Sequence, residues 1–177
     1  MIPNEITIKS DRIYEGKMIQ LRVDTVLLPG EKQATREIVE HPGAVAIVPI
    51  TEDNKIIMVK QFRKPVESIL LEVPAGKIDK DEEPLSCAIR ELKEETGYEA
   101  KNMQFLFSFY TSPGFSNERI YLYLAKDLIK GKASPDEDEH IEMECIDMDK
   151  LVSMVYDGKI KDSKTILAIL AAKDLLK

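Results

Sequence analysis

The segment GKIDKDEEPLSCAIRELKEETGY, residues 76–98, joins a glycine-containing loop to the clearest helix signal in the chain. Apolar side chains recur there with the i, i+3, i+4, i+7 spacing of one helix face, at Leu85, Ala88, Ile89 and Leu92. Pro84 suits the first helical position, and Gly97 suits the position just past the end. The pattern therefore predicts a helix over residues 84–96.

A second face of this helix carries three carboxylates. Glu91, Glu94 and Glu95 stand at i, i+3 and i+4, so their side chains project from neighbouring positions. Because Arg90 and Lys93 are interleaved, a solvated charged face is one interpretation. The other is a site for a hard divalent cation such as Mg²⁺, which prefers oxygen ligands and bridges to substrate phosphates.

The spacing of residues in this segment resembles the Nudix box, Gly-x5-Glu-x7-Arg-Glu-U-x-Glu-Glu-x-Gly-U, in which U is a bulky apolar residue. Tyr98 at the last position is a mild departure that concerns packing. The matching positions are Gly76, Glu82, Arg90, Glu91, Leu92, Glu94, Glu95 and Gly97. The resemblance implies a Nudix-type α/β/α sandwich with a mixed sheet, and a pyrophosphatase dependent on Mg²⁺, with Mn²⁺ as a possible substitute.

Nearly the whole chain resembles the ADP-ribose pyrophosphatase group of that superfamily. The similar segments are REIVEHPGAVAIVPI at 36–50, QFRKP at 61–65, LEVPAGKID at 71–79 and YTSPGFSNE at 110–118. The group tends to carry a proline about sixteen residues after the second box glycine, and here Pro113 occupies that place. The resemblance implies hydrolysis of ADP-ribose to AMP and ribose 5-phosphate.

The resemblance also implies roles for individual residues of the box and its loop. Glu91 and Glu95 are expected to be the principal metal ligands, with Glu94 close by and the carbonyl oxygen of Ala75 as a further ligand. Arg90 is expected to pair with Glu82 and orient the carboxylates, which agrees with the general need to hold metal ligands rigidly. Gly76 is expected to let the loop backbone approach metal and phosphate closely.

An acidic loop, SPDEDE at 134–139, has two interpretations. It is either a solvated turn or, by resemblance, the loop that supplies a general base and one more metal ligand. Alignment through the apolar Ile141 gives Glu137 as the base and Glu139 as the ligand. A slip of one or two residues would move these roles to Asp136, Asp138 or Glu142.

Substrate recognition is expected to use arginines, because a guanidinium fork matches phosphate and ribose oxygens. Arg63 ends a predicted strand, and its alternative is a surface ion pair. Arg36 lies in the N-terminal part and is expected to act across a dimer. Glu118, after the Pro113 loop, resembles a residue that contacts the terminal ribose, and its alternative is an exposed loop carboxylate.

The remaining pattern predicts an α+β protein in which strands outnumber helices. Residues 1–42 are expected to form a small antiparallel β unit, and residues 43–177 the Nudix domain. The resemblance implies that the first unit swaps across a homodimer. Strands are predicted at 6–8, 19–28, 36–40, 44–50, 55–62, 69–73, 103–111, 119–125 and 141–146, and further helices at 147–157 and 163–175, the second capped by Ser163.

Composition excludes several function classes. The net charge of −7 argues against a nucleic-acid partner, which requires a basic face. Residues 1–10 lack the pattern of a signal peptide, and there is no run of about eighteen apolar residues. Two cysteines without CxxC spacing predict reduced thiols, so we expect a cytoplasmic protein.

Two alternatives to ADP-ribose hydrolysis remain. The Nudix box is common to enzymes that act on other nucleoside diphosphate sugars or nucleotides. An inactive, ligand-binding Nudix module is an alternative of another class, although every acidic residue of the box is present.

Overall fold

The computed structural model describes residues 4–133 and 140–175. Its ten strands and three helices follow the order β1 (Ile6–Glu15), β2 (Gln20–Leu28), β3 (Lys32–Glu40), β4 (Ala44–Pro49), β5 (Lys55–Arg63), β6 (Ser68–Glu72), β7 (Ala75–Lys77), α1 (Pro84–Thr96), β8 (Tyr98–Tyr110), β9 (Arg119–Lys130), β10 (Glu142–Asp147), α2 (Met148–Tyr156) and α3 (Ser163–Leu175). A short 3-10 helix, Lys64–Val66, joins β5 to β6. None of the helices described is long and apolar enough to span a membrane.

The chain divides into two compact units. The first comprises Met1–Gly43 and Tyr110–Arg119, and the second Ala44–Phe109 and Ile120–Lys177. In the first unit β1, β2 and β3 form an antiparallel sheet in that order. Val39 in β3 pairs with Ser116, so the 110–119 segment belongs with the N-terminal strands. No local pattern predicts this addition, because it depends on contacts between residues distant in the chain.

The second unit contains two sheets. One has the order β7-β4-β9-β8 and is mixed, because β4 runs parallel to β9 and antiparallel to β7. The other has the order β10-β5-β6 and is antiparallel. The predicted α+β class with a mixed sheet and a separate antiparallel unit is confirmed.

Side chains alternate across β4, as the period of two in a strand requires, and both faces are buried. Val45 and Ile47 belong to a core cluster with Ala88 and Leu92 of α1. Ala46, Val48 and Ile50 belong to a second cluster with residues of β5, β9, β10, α2 and α3. The helices thus cover the two sides of this layer, which gives the second unit its α/β/α arrangement.

Several local predictions needed correction. Residues 75–77, read as a loop, form the short strand β7, since β4 supplies the pairing partner. Strands β1, β8 and β9 are longer than their apolar runs because hydrogen bonding continues beyond them. The cap of α3 is not Ser163: the carboxylate of Asp162 accepts the backbone N–H of Thr165 at 3.0 Å.

The buried face of α1 is rotated relative to the predicted apolar stripe. Ala88 and Leu92 are fully buried, but Leu85 and Ile89 are 45% and 47% exposed. Cys87 and Glu95 are buried instead. The helix therefore turns part of its carboxylate face inward, where it can reach the backbone of the chain that precedes it.

Candidate active site

Arg90 is the centre of the charged cluster on α1. Its Nε and Nη2 donate to Oε1 and Oε2 of Glu82, both at 2.9 Å. Its Nη1 donates to Glu91 at 2.7 Å and to Glu94 at 2.9 Å. The arginine expected to pair with Glu82 thus does so in a bidentate fork, and the same guanidinium holds two further box carboxylates.

The fork has an electrostatic consequence for the loop before the helix. Hydrogen bonding to Arg90 lowers the pKa of Glu82 to about 2. Glu82 also accepts the backbone N–H of Asp79 at 3.0 Å, which closes the loop between β7 and α1. The carboxylates in turn raise the pKa of Arg90, with Glu82 as the largest contributor. Glu82 and Arg90 are therefore both charged at neutral pH and hold each other in place.

Gly76 lies directly against the carboxylate of Glu91. A Cβ placed on Gly76 would be 1.9 Å from Cδ of Glu91 and 2.0 Å from its Oε1. Any side chain at this position would occupy the space of the carboxylate. Gly76 pairs with Val45 of β4, so the buried sheet fixes the backbone at this point. The absence of a side chain at Gly76 thus lets the backbone of β7 lie against the carboxylate of Glu91.

Glu95 lies on the same side of α1 and is nearly buried, with 4% of its surface exposed. Its Oε2 accepts the backbone N–H of Ala75 at 3.1 Å. Since Glu95 is buried and the Glu91 side chain is only 13% exposed, the interpretation of α1 as a solvated charged face is wrong. The structure brings Ala75, Gly76, Glu91 and Glu95 together.

The donor set at this place suits a hard divalent cation. Glu91, Glu94 and Glu95 supply carboxylate oxygens on adjoining positions, and the backbone of Ala75 is in contact with one of them. Within residues 4–133 and 140–175, however, no group of three His, Cys, Asp or Glu side chains has a ready-made metal-binding geometry. The reason is visible in the contacts, because Arg90 draws Glu91 and Glu94 toward itself.

Cys87 is buried beneath the cluster, with its Sγ 3.4 Å from the carbonyl oxygen of Lys77 and 3.4 Å from Nη2 of Arg90. Burial is the main cause that raises the pKa of this thiol to about 12. The side chain is thus an inert packing element of the helix, as a structural cysteine should be.

Arg63 forms an ion pair, as its alternative supposed, but with a buried partner. Its Nε and Nη2 each donate at 2.8 Å to the carboxylate of Glu72, a residue with only 1% of its surface exposed. Glu72 also accepts a hydrogen bond from Lys164 of α3. Sequence reasoning passed over Glu72 and Lys164, although an acidic residue within an apolar strand, SILLE, was an available signal for the first.

The other three expected substrate residues fall in the first unit. Arg36 donates from Nε to Oε2 of Glu5 at 2.9 Å. Arg36 and Pro113 line the same cleft, which has a volume of about 440 Å³. Glu118 follows the lining residue Asn117 and accepts a hydrogen bond from the hydroxyl of Thr111 at 2.7 Å. Glu118 therefore has a hydrogen-bond partner, and it does not fit the alternative interpretation of an exposed loop carboxylate.

The expected general base and the additional ligand, Glu137 and Glu139, lie outside the described residues. Gly97, the last box position named above, ends α1 in the left-handed conformation with φ 72°, as the sequence predicted. Its backbone N–H donates to the carbonyl oxygen of Lys93 at 2.8 Å.

Comparison with known proteins matches residues 40–168 to the NUDIX domain. An ADP-ribose pyrophosphatase of Bacillus subtilis (strain 168) is 47% identical over 167 residues, covering 93% of this chain and 90% of that protein. A methanol dehydrogenase activator of Bacillus methanolicus is 48% identical with the same coverage. The crystal structure of an ADP compounds hydrolase superposes with a TM-score of 0.88 at 20% identity, covering 99% of this chain and 96% of that one.

Proposed function

Because the chain belongs to the NUDIX domain family and is a Nudix hydrolase, we propose that it hydrolyses the pyrophosphate bond of ADP-ribose, releasing AMP and ribose 5-phosphate. The observation that carries the proposal is the carboxylate face of α1, which Arg90 and Glu82 hold against the backbone of Ala75 and Gly76. The relative named an ADP-ribose pyrophosphatase, 47% identical, supports the choice of substrate.

In this proposal Glu91, Glu95 and the Ala75 carbonyl hold Mg²⁺ or Mn²⁺, with Glu94 beside them and Glu139 as a ligand from the acidic loop. The ion, when bound, supplies charge neutralisation of the pyrophosphate and a more acidic water. Arg90 pairs with Glu82 and holds the carboxylates of Glu91 and Glu94 close to the expected cation site. Glu91 and Glu95 are the acidic residues on which turnover should depend most.

Glu137 is proposed as the general base that takes the proton of the attacking water. The proposal comes from the resemblance of the acidic loop, and Glu139 is the alternative base. Arg63 is proposed to bind phosphate or ribose oxygens from the second unit. Arg36, Pro113 and Glu118 are proposed to bind the nucleotide or terminal ribose from the first unit, where Arg36 and Pro113 share one cleft.

A turnover screen with Mg²⁺ tests the substrate. The panel holds ADP-ribose, ADP-glucose, GDP-mannose, NADH, a dinucleoside tetraphosphate and 8-oxo-dGTP, with products resolved by chromatography. ADP-ribose should give the highest kcat/KM and yield AMP with ribose 5-phosphate. If another compound has the higher value, the substrate assignment is wrong and the alternative pyrophosphatase activity replaces it. If no compound is cleaved with any divalent ion, the inactive ligand-binding module replaces both.

A second candidate function is activation of an alcohol dehydrogenase. It follows from the relative named a methanol dehydrogenase activator, which is as similar to this chain as the named pyrophosphatase. Adding the protein to a purified methanol dehydrogenase and measuring alcohol oxidation tests it. A rise in rate that Glu95→Gln abolishes would show that activation needs the carboxylate site, and an unchanged rate would remove this candidate.

We also propose that the N-terminal unit mediates a homodimer and that the protein acts in the cytoplasm without a nucleic-acid partner. Large apolar side chains on β1 support dimerisation, since Ile6 and Ile13 are 61% and 58% exposed. Sedimentation should show a dimer for the wild type and a monomer for the double variant Ile6→Glu, Ile13→Glu. Ser10→Glu on the same strand is the control and should remain dimeric. A monomeric wild type would rule out the dimer.

A further inference from the structure

The first turn of α3 reaches the segment that precedes the Nudix box. Asp162 caps the turn by accepting the N–H of Thr165 at 3.0 Å, and it also accepts the hydroxyl of Thr165. Nζ of Lys164 lies 3.0 Å from Oδ2 of Asp162, the oxygen that accepts both of these hydrogen bonds. The side chains of this turn therefore hold one another in place, in addition to their contacts outside the turn.

Lys164 extends from this turn to Glu72. Its side chain is 13% exposed and donates to Oε2 of Glu72, the oxygen that also accepts Nη2 of Arg63. Glu72 is thus a buried carboxylate between two cations. A carboxylate with one partner can rotate about its terminal torsion, whereas contacts from two sides leave it a single orientation.

The orientation of Glu72 decides the orientation of Arg63. The guanidinium is a rigid planar fork, so a bidentate contact transmits any rotation of the carboxylate to the whole group. Two of its five N–H donors are used on Glu72, and 37% of the Arg63 side chain is exposed. Arg63 also lies close enough to Glu95 that this carboxylate helps to raise the pKa of the arginine.

Thr165 makes the second connection. Its hydroxyl oxygen accepts the backbone N–H of Val73 at 3.0 Å, in a fully buried place. The carbonyl oxygen of Pro74 accepts the N–H of Ile47 at 2.8 Å, and the N–H of Ala75 donates to Glu95 at 3.1 Å. Each of residues 72–75 thus has its own anchor. Glu72 is held by β5 and α3, Val73 by α3, Pro74 by β4 and Ala75 by α1.

We propose that the first turn of α3 is a positioning element for the reaction, with two separable connections. Lys164, acting through Glu72, orients Arg63 toward the substrate. Thr165, acting through Val73, sets the backbone of Ala75 where its carbonyl oxygen meets the divalent cation. This inference rests on the proposed function, because it takes Arg63 as a substrate residue and Ala75 as a ligand.

The two connections predict different kinetic consequences. Lys164→Met should raise KM for ADP-ribose about tenfold, equivalent to about 1.4 kcal/mol of binding, and leave kcat within about twofold. Thr165→Val should weaken binding of Mn²⁺ about tenfold, since the supports of metal ligands affect affinity to this extent. A purely structural defect would instead lower the number of active sites and leave KM and the Mn²⁺ dissociation constant unchanged.

The experiment compares six single variants with the wild type, of which Lys164→Met and Thr165→Val are the tests. Lys161→Met and Ser163→Ala are the controls, because both residues are exposed and neighbour the turn. Lys164→Arg and Thr165→Ser are the conservative variants and should return KM and Mn²⁺ affinity to within about twofold of the wild type. The readouts are kcat and KM with Mg²⁺, Mn²⁺ binding to the protein alone by electron paramagnetic resonance, and calorimetric binding of ADP-ribose in EDTA.

Lys164→Met with unchanged KM and unchanged ADP-ribose binding overturns the first connection. Thr165→Val with wild-type Mn²⁺ affinity overturns the second. A variant that fails to fold is replaced in the comparison by Asp162→Asn, which keeps the cap but weakens the contact with Lys164 and should show a smaller KM increase. A wild type that neither binds nor hydrolyses ADP-ribose refutes the proposed function and the Lys164 connection, while the Mn²⁺ titration still decides the Thr165 connection.

Discussion

The substitution Gly76→Ala should lower the activity of the candidate active site while leaving the fold intact. A Cβ at this position would lie 1.9 Å from Cδ of Glu91, whereas ordinary contact begins near 3.4 Å. The carboxylate must therefore retreat by about 1.5 Å, a distance at which ligand placement costs on the order of 100-fold in rate. That loss corresponds to about 2.7 kcal/mol of activation free energy.

Stability should change much less than rate in this variant. The φ angle of Gly76 lies outside the left-handed region, so alanine is compatible with the backbone. The displaced group is the end of a flexible side chain that can rotate away. We expect kcat/KM for ADP-ribose to fall about 100-fold, with a thermal midpoint within about 4 °C of the wild type. Wild-type kcat/KM in a folded variant would refute the placement of Glu91 as a metal ligand.

Three further predictions concern the acidic loop, the box ion pair and the thiols. Glu137→Gln should lower kcat far more than it changes KM, and a larger kcat loss in Glu139→Gln would transfer the role of base to that residue. The pKa of Glu82 is about 2 against an ordinary 4.5, so its pairing stabilises the fold fully above pH 4.5. That stabilisation should be lost as the pH falls from 4.5 toward 2. The free energies of unfolding of the wild type and of Glu82→Gln, measured by chemical denaturation, should converge there. At pH 8 a thiol reagent should modify the exposed Cys145 but spare Cys87 until denaturant is added. The reason is that Cys87 is buried and the pKa of its thiol is about 12. Modification of both cysteines in the folded protein would contradict this.

Local patterns predicted α1 well because its signals depend only on neighbouring residues. The helix begins at Pro84 and ends before Gly97, as the apolar spacing and the end residues indicate. The same pattern predicted the wrong buried face. Periodicity measures where apolar residues lie, whereas the packed orientation depends on what the helix meets, and here Glu95 contacts the backbone of Ala75. Because the helix packs with Glu95 turned inward, Leu85 is left exposed.

Residues that act through distant partners were beyond local reasoning. Glu72 and Lys164 are separated by 92 positions, and nothing near either residue announces the other. The strand β7 was missed for a related reason, since three residues around a glycine form a strand only when β4 is available to pair with them. The 110–119 segment joined the N-terminal unit through Val39 in the same way.

By itself, the sequence determined the carboxylate helix and, through the resemblance to the Nudix box, the family and the expected pairing of Arg90 with Glu82, because the box lies within 23 residues. Tertiary structure alone decided which carboxylates are buried, which atoms of Arg63 are occupied and which helix supports the Ala75 segment. The physical reason is that side-chain spacing is a property of the local backbone. Burial and the partners of a charged group depend on which distant elements the core brings together.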